Sequence, residues 1–384
     1  MGLKEKIAEK AGIDADKIPA RFQIIGDIFL AKMFFLDKND KKQFALAVKE
    51  ILPYIKTVCE IKEIKGELRR PKVVKILGKG LETIHKENGI FYKLDVSKIM
   101  FSKGNHSERR RLIDIISNHA NTQQASHDTN TQQAGYDRNS YFFSRNSHNT
   151  NSYSVKQTEK QNSHNSDLLL KSHDTNSQQA GHDTNSQQAG HNIIIDMFAG
   201  IGYFSLGLSK KCKKIYAIEK NPVAFKYLKE NIKLNKINNI VAIKGDCKRI
   251  ASFCSCNGKY KIYHYFHCKI WRACEARSLC SEKSKIANPL HGLAKTKADC
   301  VLMGYFPNTQ KYLPSAFRFL GNQGTIIYHN LYNRQDRTKP IEDVEKAAKK
   351  AGYKIVSFKQ RTVKEYNSRK DHVVCDVGVE RFTK

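Results

Sequence analysis

The sequence predicts an α/β protein, a doubly wound and mostly parallel sheet with a smaller N-terminal α+β domain. Three observations carry this. Short apolar runs rich in β-branched residues alternate with helix-periodic segments through the C-terminal half. A turn bearing two glycines follows the first of those runs, and carboxylates close the next two.

"NIIIDMF" (192–198) is an apolar run of the kind buried on both faces of a parallel sheet. "GYFSLGLSKKC" reads as the following helix and "KIYAIEK" as the second strand. "PVAFKYLKENIKLNK" opens with Pro222 at a first helical position and spaces Phe225, Leu228 and Ile232 along one face. "IVAIKGD" is the third strand and "CVLMGY" the fourth. "GTIIYHN", the helix "PIEDVEKAAKKAG" and the strands "YKIVSFKQRTV" and "DHVVCDVGVERF" complete the unit, with an antiparallel strand expected at the sheet edge. His329 reads as closing a strand end.

Two stretches lack globular composition. The first contains "HDTNTQQAG" at 127 and "HDTNSQQAG" at 173 and 182. Such a repeat cannot bury enough apolar surface to offset chain entropy, so 119–191 is expected to be a disordered insertion. Between 121 and 190 it holds five Lys/Arg against six Asp/Glu, so the basic charge lies elsewhere. The second, about 250–297, holds Cys254, Cys256, Cys268, Cys274 and Cys280 with His264 and His267. Their irregular gaps lack the paired spacing of a tetrahedral zinc site, so an insertion without metal is expected. The organisation is then 1–118 as the N-terminal domain, 119–191 as the insertion, and 192–384 as the second domain.

The 384 residues include 67 Lys+Arg and 37 Asp+Glu, a formal charge of +30. So basic a chain calls for an anionic partner, and nucleic acid fits better than a membrane. No run of about 18 apolar residues is present, and "MGLKEKIAEKAGIDADK" has no apolar signal core. A cytoplasmic monomer with no membrane partner is expected, its ten cysteines reduced.

"DMFAGIGYFS" places Asp196, Phe198, Gly200 and Gly202 at a strand-to-helix turn, where glycine allows tight backbone and close approach of a nucleotide. A dinucleotide loop wants a third glycine where Ser205 stands. Glu219 ends the second strand, where a carboxylate can accept both ribose hydroxyls. Asp246 ends the third, placed for an adenine amino group. Together they predict a nucleoside pocket.

"DMFAGIGYFSLGL", "YAIEKNPVAFKYLKENIKLNKINNI" and "GDC" resemble the class I S-adenosylmethionine-dependent fold. The likeness is greatest to two families that modify the purine beside the tRNA anticodon: the tRNA guanine-N1 methyltransferase and the archaeal aminocarboxypropyltransferase of wybutosine synthesis. It extends through "FQIIGDIFL", "GELRRPKVVKILG", "ETIHKENGIFYKLDVSKIMFS" and "DHVVCDVGVERF". The methyltransferase family typically has Ser-Pro-Arg after the Phe and Asn-Leu-Pro after the Met. Here Ser102-Lys103-Gly104-Asn105 and Gly304-Tyr305 stand there, which resembles the aminocarboxypropyltransferase branch. The resemblance implies transfer of the 3-amino-3-carboxypropyl group of S-adenosylmethionine to the wybutosine-precursor base of tRNA, gripped at the anticodon arm. Guanine-N1 methylation is the alternative, and a non-catalytic RNA-binding scaffold the second. It further implies Ser102, Arg109, Glu219, Asp246 and Cys247 as ligand contacts. Arg109 can pair with the ligand carboxylate and Ser102 can donate to it. Tyr305 is the candidate for positioning the base by stacking. "GELRRPK", "ERRR" and "RTVKEYNSRK" are candidates for phosphate contacts.

Overall fold

The computed structural model describes residues 1–125, 193–255 and 289–383. The His/Gln/Asn repeats and the cysteine/histidine cluster from Cys256 to Cys280 lie outside the described residues. Helix α1 (Leu3–Ala11) buries Ile7 and stops at Gly12, whose φ of 63° ends a helix without a Cβ penalty. Strands β1 (Phe22–Ile25) and β2 (Ile28–Ala31) pair antiparallel. Helix α2 (Lys38–Ile51) is capped by Asp37, whose carboxylate accepts the Asp40 N–H at 2.7 Å. It returns the chain so that β3 (Thr57–Lys65) lies parallel to β2, and β4 (Arg70–Gly78) closes a four-stranded sheet. Ile7, Phe29, Phe44 and Val48 share its core.

A hairpin of β5 (Glu82–Glu87) and β6 (Ile90–Asp95) follows. Its turn is Asn88–Gly89, both at positive φ (51° and 74°), the pair such a two-residue turn favours. Helix α3 (His106–Ala125) then leads out of this half.

The second half runs β7 (Ile193–Asp196), α4 (Ser205–Leu208), β8 (Lys214–Glu219), α5 (Pro222–Leu234), β9 (Ile240–Lys244), α6 (Cys247–Ser255), α7 (Pro289–Ala294), β10 (Ala298–Met303), α8 (Leu313–Phe319), β11 (Leu320–Asn333), α9 (Lys339–Ala351), β12 (Tyr353–Glu365) and β13 (Lys370–Arg381). The seven strands lie in the order β12-β13-β11-β10-β7-β8-β9. Strands β7 to β11 are parallel neighbours in that order. Period two sends Ile194, Ile215 and Leu302 into one core with Leu112 and Leu228, and Ile195, Tyr216 and Val301 into the other with Phe317 and Val344. Both faces are covered, as a doubly wound sheet requires.

Two expectations are corrected. The antiparallel strand is not at the edge: β13 pairs with both β11 and β12, and β12 forms the edge. Burial explains this, because His372 to Cys375 are four consecutive buried residues, whereas β12 is largely exposed or half-buried. The helix after β7 is also shorter than "GYFSLGLSKKC" suggested, a single α-turn followed by a 3₁₀ turn at Ser209–Lys211. Gly207 weakens that helix and permits close packing, since a Cβ there would lie 3.0 Å from Ile113 Cδ1 on α3.

The two halves are joined by an arrangement that resembles strand pairing. Asn231, on α5, and Asn235, which caps its carboxyl end, face the open edge of β6. Asn231 Oδ1 accepts the Lys93 N–H at 2.7 Å, while its Nδ2 donates to the carbonyls of Lys93 and Ile201. Asn235 repeats the pattern with Phe91. Asn231→Ala is therefore expected to cost about 1–3 kcal/mol for each buried backbone group left unpaired. Urea unfolding of the variant measures this.

Candidate active site

β7 lies between β8 and β10, where the strand order reverses, and a crevice opens outside the carboxyl end of a strand at such a point. It holds a cavity of about 490 Å³, within the range of about 300–1,000 Å³ usual for small-molecule sites. The β3–β4 turn contributes Arg69, the segment before α3 contributes Ser102 and Asn105, and the carboxyl ends of β8 and β12 contribute Glu219 and Lys364.

The glycine turn is organised by Glu219. Its Oε2 accepts the Gly200 N–H at 2.7 Å and its Oε1 accepts the Asn221 N–H at 2.6 Å. Gly200 has φ 59°, which makes the tight approach possible. Burial pushes the Glu219 carboxyl above its ordinary range, against the hydrogen bonds from Asn221 and Gly200. Asp246 also lines the cavity. Its Oδ1 accepts the Lys248 N–H at 2.9 Å and its Oδ2 lies 3.4 Å from Lys220 Nζ, which also reaches Glu67 at 3.2 Å. Cys247 is buried beside it, and burial lifts its thiol to about 12, so it lines the wall as a neutral group.

Asp196 and Gly202, expected at the cofactor, are not among the residues that line the cavity. Asp196 is fully buried behind the turn, where it accepts Ser205 Oγ–H at 2.7 Å and Phe198 N–H at 3.2 Å. Burial raises its carboxyl to about 6 despite those bonds. Ser205, which replaces the third glycine of a dinucleotide loop, is thus the hydroxyl that satisfies this acid. Gly202 permits close packing instead, since a Cβ there would come within 2.6 Å of Leu206 Cγ.

The loop after β10 forms the opposite wall. Tyr305 stacks on Phe198, with ring centroids 5.1 Å apart, and both line the cavity. Phe306 is held between His372, at 4.4 Å, and the Arg69 guanidinium, at 4.9 Å. Gly304 is dictated by packing, because a Cβ there would sit 2.5 Å from the Phe204 ring.

Arg109 reaches the cavity, but its charge is already paired. It is buried and gives Glu87 two hydrogen bonds, of 2.5 and 2.8 Å, and donates a third to the Ser102 carbonyl at 3.2 Å. The expectation that it stands ready for a ligand carboxylate is corrected to that extent. Arg111 and Arg361 are half-buried and also paired, both bound to the buried Glu108, and Arg111 also to Asp376. Of "ERRR", only Arg110 is exposed. His329 does not close a strand end: it is buried with Nδ1 3.0 Å from His372 Nε2, and burial holds both imidazoles down at about 3. Glu87 and the inward reach of Lys364 escaped sequence reasoning, and the Asn88–Gly89 turn before β6 is the signal that could have located Glu87.

Among the described residues no group of three metal-ligating side chains converges, and no helix is long and apolar enough to cross a membrane.

A sheet in this order, with a glycine turn and acids at the carboxyl ends of neighbouring strands, defines a class I S-adenosylmethionine-type transferase fold. The profile of the TRM5/TYW2 methyltransferase domain matches residues 83–122, 178–268 and 289–356, and that of the TYW2 N-terminal domain matches 3–81. The chain belongs to the TRM5/TYW2 family. It is 30% identical over 367 residues to the tRNA(Phe) (4-demethylwyosine(37)-C(7)) aminocarboxypropyltransferase of Methanocaldococcus jannaschii, covering 94% of this chain and 99% of that one. The tRNA (guanine(37)-N(1))-methyltransferase Trm5b of Pyrococcus abyssi is 25% identical, over 94% of this chain and 76% of its own length. The crystal structure of M. jannaschii TYW2 in complex with AdoMet superposes with a TM-score of 0.51 at 26% identity, covering 94% of this chain and 100% of that one.

Proposed function

We propose that the chain transfers the 3-amino-3-carboxypropyl group of S-adenosylmethionine to the wybutosine-precursor base beside the anticodon of tRNA. The observation that carries this is the 30% identity to an aminocarboxypropyltransferase along 94% of this chain, N-terminal domain included. The donor fits the cavity, whose lining includes the acids Glu219 and Asp246 and the cations Arg69, Arg109 and Lys364. Glu219 accepts the ribose hydroxyls, Asp246 accepts the adenine amino group, and the Cys247 N–H faces the adenine ring. Gly200 and Phe198 shape the floor, with Asp196 and Gly202 bracing the turn from behind. Ser102 and Arg109 border the amino-acid arm.

The sulfonium of S-adenosylmethionine makes the methyl, the ribose methylene and the γ-carbon of the methionine arm electrophilic. The carbon in line with the nucleophile at near-attack distance is the one transferred. The acceptor carbon of the tricyclic base bonds to the γ-carbon, the C–S bond breaks with its electron pair passing to sulfur, and the ring then releases its proton. Positioning supplies most of the acceleration, so no strong base is needed. Tyr305, backed by Phe198, offers a stacking surface for the base. The anticodon arm lies along the exposed cations Arg70, Lys72, Arg110, Arg369 and Lys370, and the chain acts as a monomer.

S-adenosylmethionine labelled on the carboxyl carbon, and separately on the methyl, tests the assignment with precursor-bearing tRNA. Carboxyl label is expected in the tRNA. Methyl label would establish the methyltransferase reading, and tRNA binding with neither label transferred would establish the scaffold.

A further inference from the structure

We infer that Lys364 anchors the carboxylate of the donor's amino-acid arm, and so determines which carbon faces the RNA. This rests on the reading of the cavity as an S-adenosylmethionine site.

Lys364 stands at the end of β12, in a segment that reads as surface charge, yet its side chain is half-buried and lines the cavity. Its Nζ donates to Ser102 Oγ at 3.1 Å and to Asn105 Oδ1 at 2.9 Å. Gly104 makes room for it, since a Cβ at that position would lie 2.9 Å from Nζ. The sequence Ser102-Lys103-Gly104-Asn105 is thus a cradle: two acceptors, Ser102 and Asn105, enclose a stretch in which Gly104 has no side chain. This is also the stretch in which the chain departs from the Ser-Pro-Arg pattern of the methyltransferases, and an Arg at 104 would occupy the space the ammonium fills.

The charges converge in one direction. Arg69 and Arg109 both lie close enough to lower the Lys364 pKa, after burial. Arg109 is neutralised by Glu87, while the hydrogen bonds of Arg69 go to the Phe306 carbonyl and Met100 Sδ. Among the described residues no carboxylate pairs with Lys364 or Arg69, so both bring unpaired positive charge to the cavity lining. An ammonium has three donors. Two of Lys364's are used on Ser102 and Asn105, which leaves one for an anion in the cavity. A carboxylate fixed there holds the methionine arm at its far end while the acids hold the adenosine, so the rotation of the sulfonium between them is set.

A phosphodiester of the RNA carries the same charge, and binding measurements separate the two sources. Calorimetry compares wild type, Lys364→Met and Lys364→Arg with S-adenosylmethionine, with methylthioadenosine, which lacks the amino-acid arm, and with tRNA. A charge-assisted bond of this kind corresponds to roughly a 10- to 100-fold change in affinity. Lys364→Met is expected to weaken S-adenosylmethionine by that factor and leave methylthioadenosine within about 2-fold, with Lys364→Arg recovering much of the loss. Unchanged S-adenosylmethionine binding with weakened tRNA binding would assign Lys364 to a phosphate and overturn the inference. Equal losses for both nucleosides would mark a structural role and also overturn it. Failure of the wild type to bind S-adenosylmethionine would remove the underlying reading, a result distinct from either.

Discussion

Glu219→Ala is expected to lower S-adenosylmethionine affinity by about 100-fold or more, measured by calorimetry. The carboxylate has two tasks. It accepts the Gly200 and Asn221 N–H groups that hold the glycine turn, and in the proposed complex it accepts the ribose hydroxyls. Hydrogen bonds to a charged group contribute about 1.5–3 kcal/mol each, so losing both hydroxyl contacts reaches that factor before any loosening of the turn. The same residue gives binding a pH dependence. Burial raises its pKa, so the ionised acceptor is lost as pH falls through a value above the ordinary carboxylate range, and affinity declines with it. In the free protein the sign is opposite: a raised carboxyl contributes stability below its unfolded pKa, lost as pH rises through the folded one. Glu219→Gln should remove both pH dependences.

Arg109→Met is expected to destabilise the fold by about 3–5 kcal/mol, because it strands the Glu87 carboxylate in a buried position. Urea unfolding at neutral pH measures the loss. Burial pushes Glu87 up, but His85, with Nε2 3.8 Å away, and the hydrogen bonds from Arg109 outweigh it and hold the carboxyl at about 2, below its ordinary 4.5. A depressed carboxyl contributes stability that is present above the unfolded pKa and lost as pH falls through the folded one. Wild-type stability should therefore drop between about pH 4.5 and 2, and that part of the profile should flatten in Arg109→Met. The pair fastens the β5–β6 hairpin to the start of α3 directly under the cavity, so Glu87→Gln is expected to loosen the same junction.

The strands and their order in the chain were legible because each buried strand is a short apolar run, and the glycine turn and both acids were legible because they sit at strand ends. What failed depends on which elements meet in space. Arg109 and Arg111 look like neighbouring surface charges, but α3 turns them toward Glu87 and toward Asp376, which are separated from them by 22 and 265 residues. Lys364 sits in a charged run and points inward only because β12 ends at the cavity opposite Gly104. Asn231 and Asn235 look like ordinary polar helix positions until β6 presents its edge to them. The antiparallel placement of β13 was within reach, since "HVVC" is a fully buried run and no edge strand carries one. Gly304 reads as a branch marker in sequence, while the structure gives a packing reason, the Phe204 ring.

The central claim concerns which C–S bond breaks, and identifying the nucleoside left behind after a single turnover with precursor-bearing tRNA tests it most directly. Loss of the aminocarboxypropyl group leaves methylthioadenosine, the product expected here. Recovery of S-adenosylhomocysteine in its place would mean that the methyl group had been transferred, and would contradict the account.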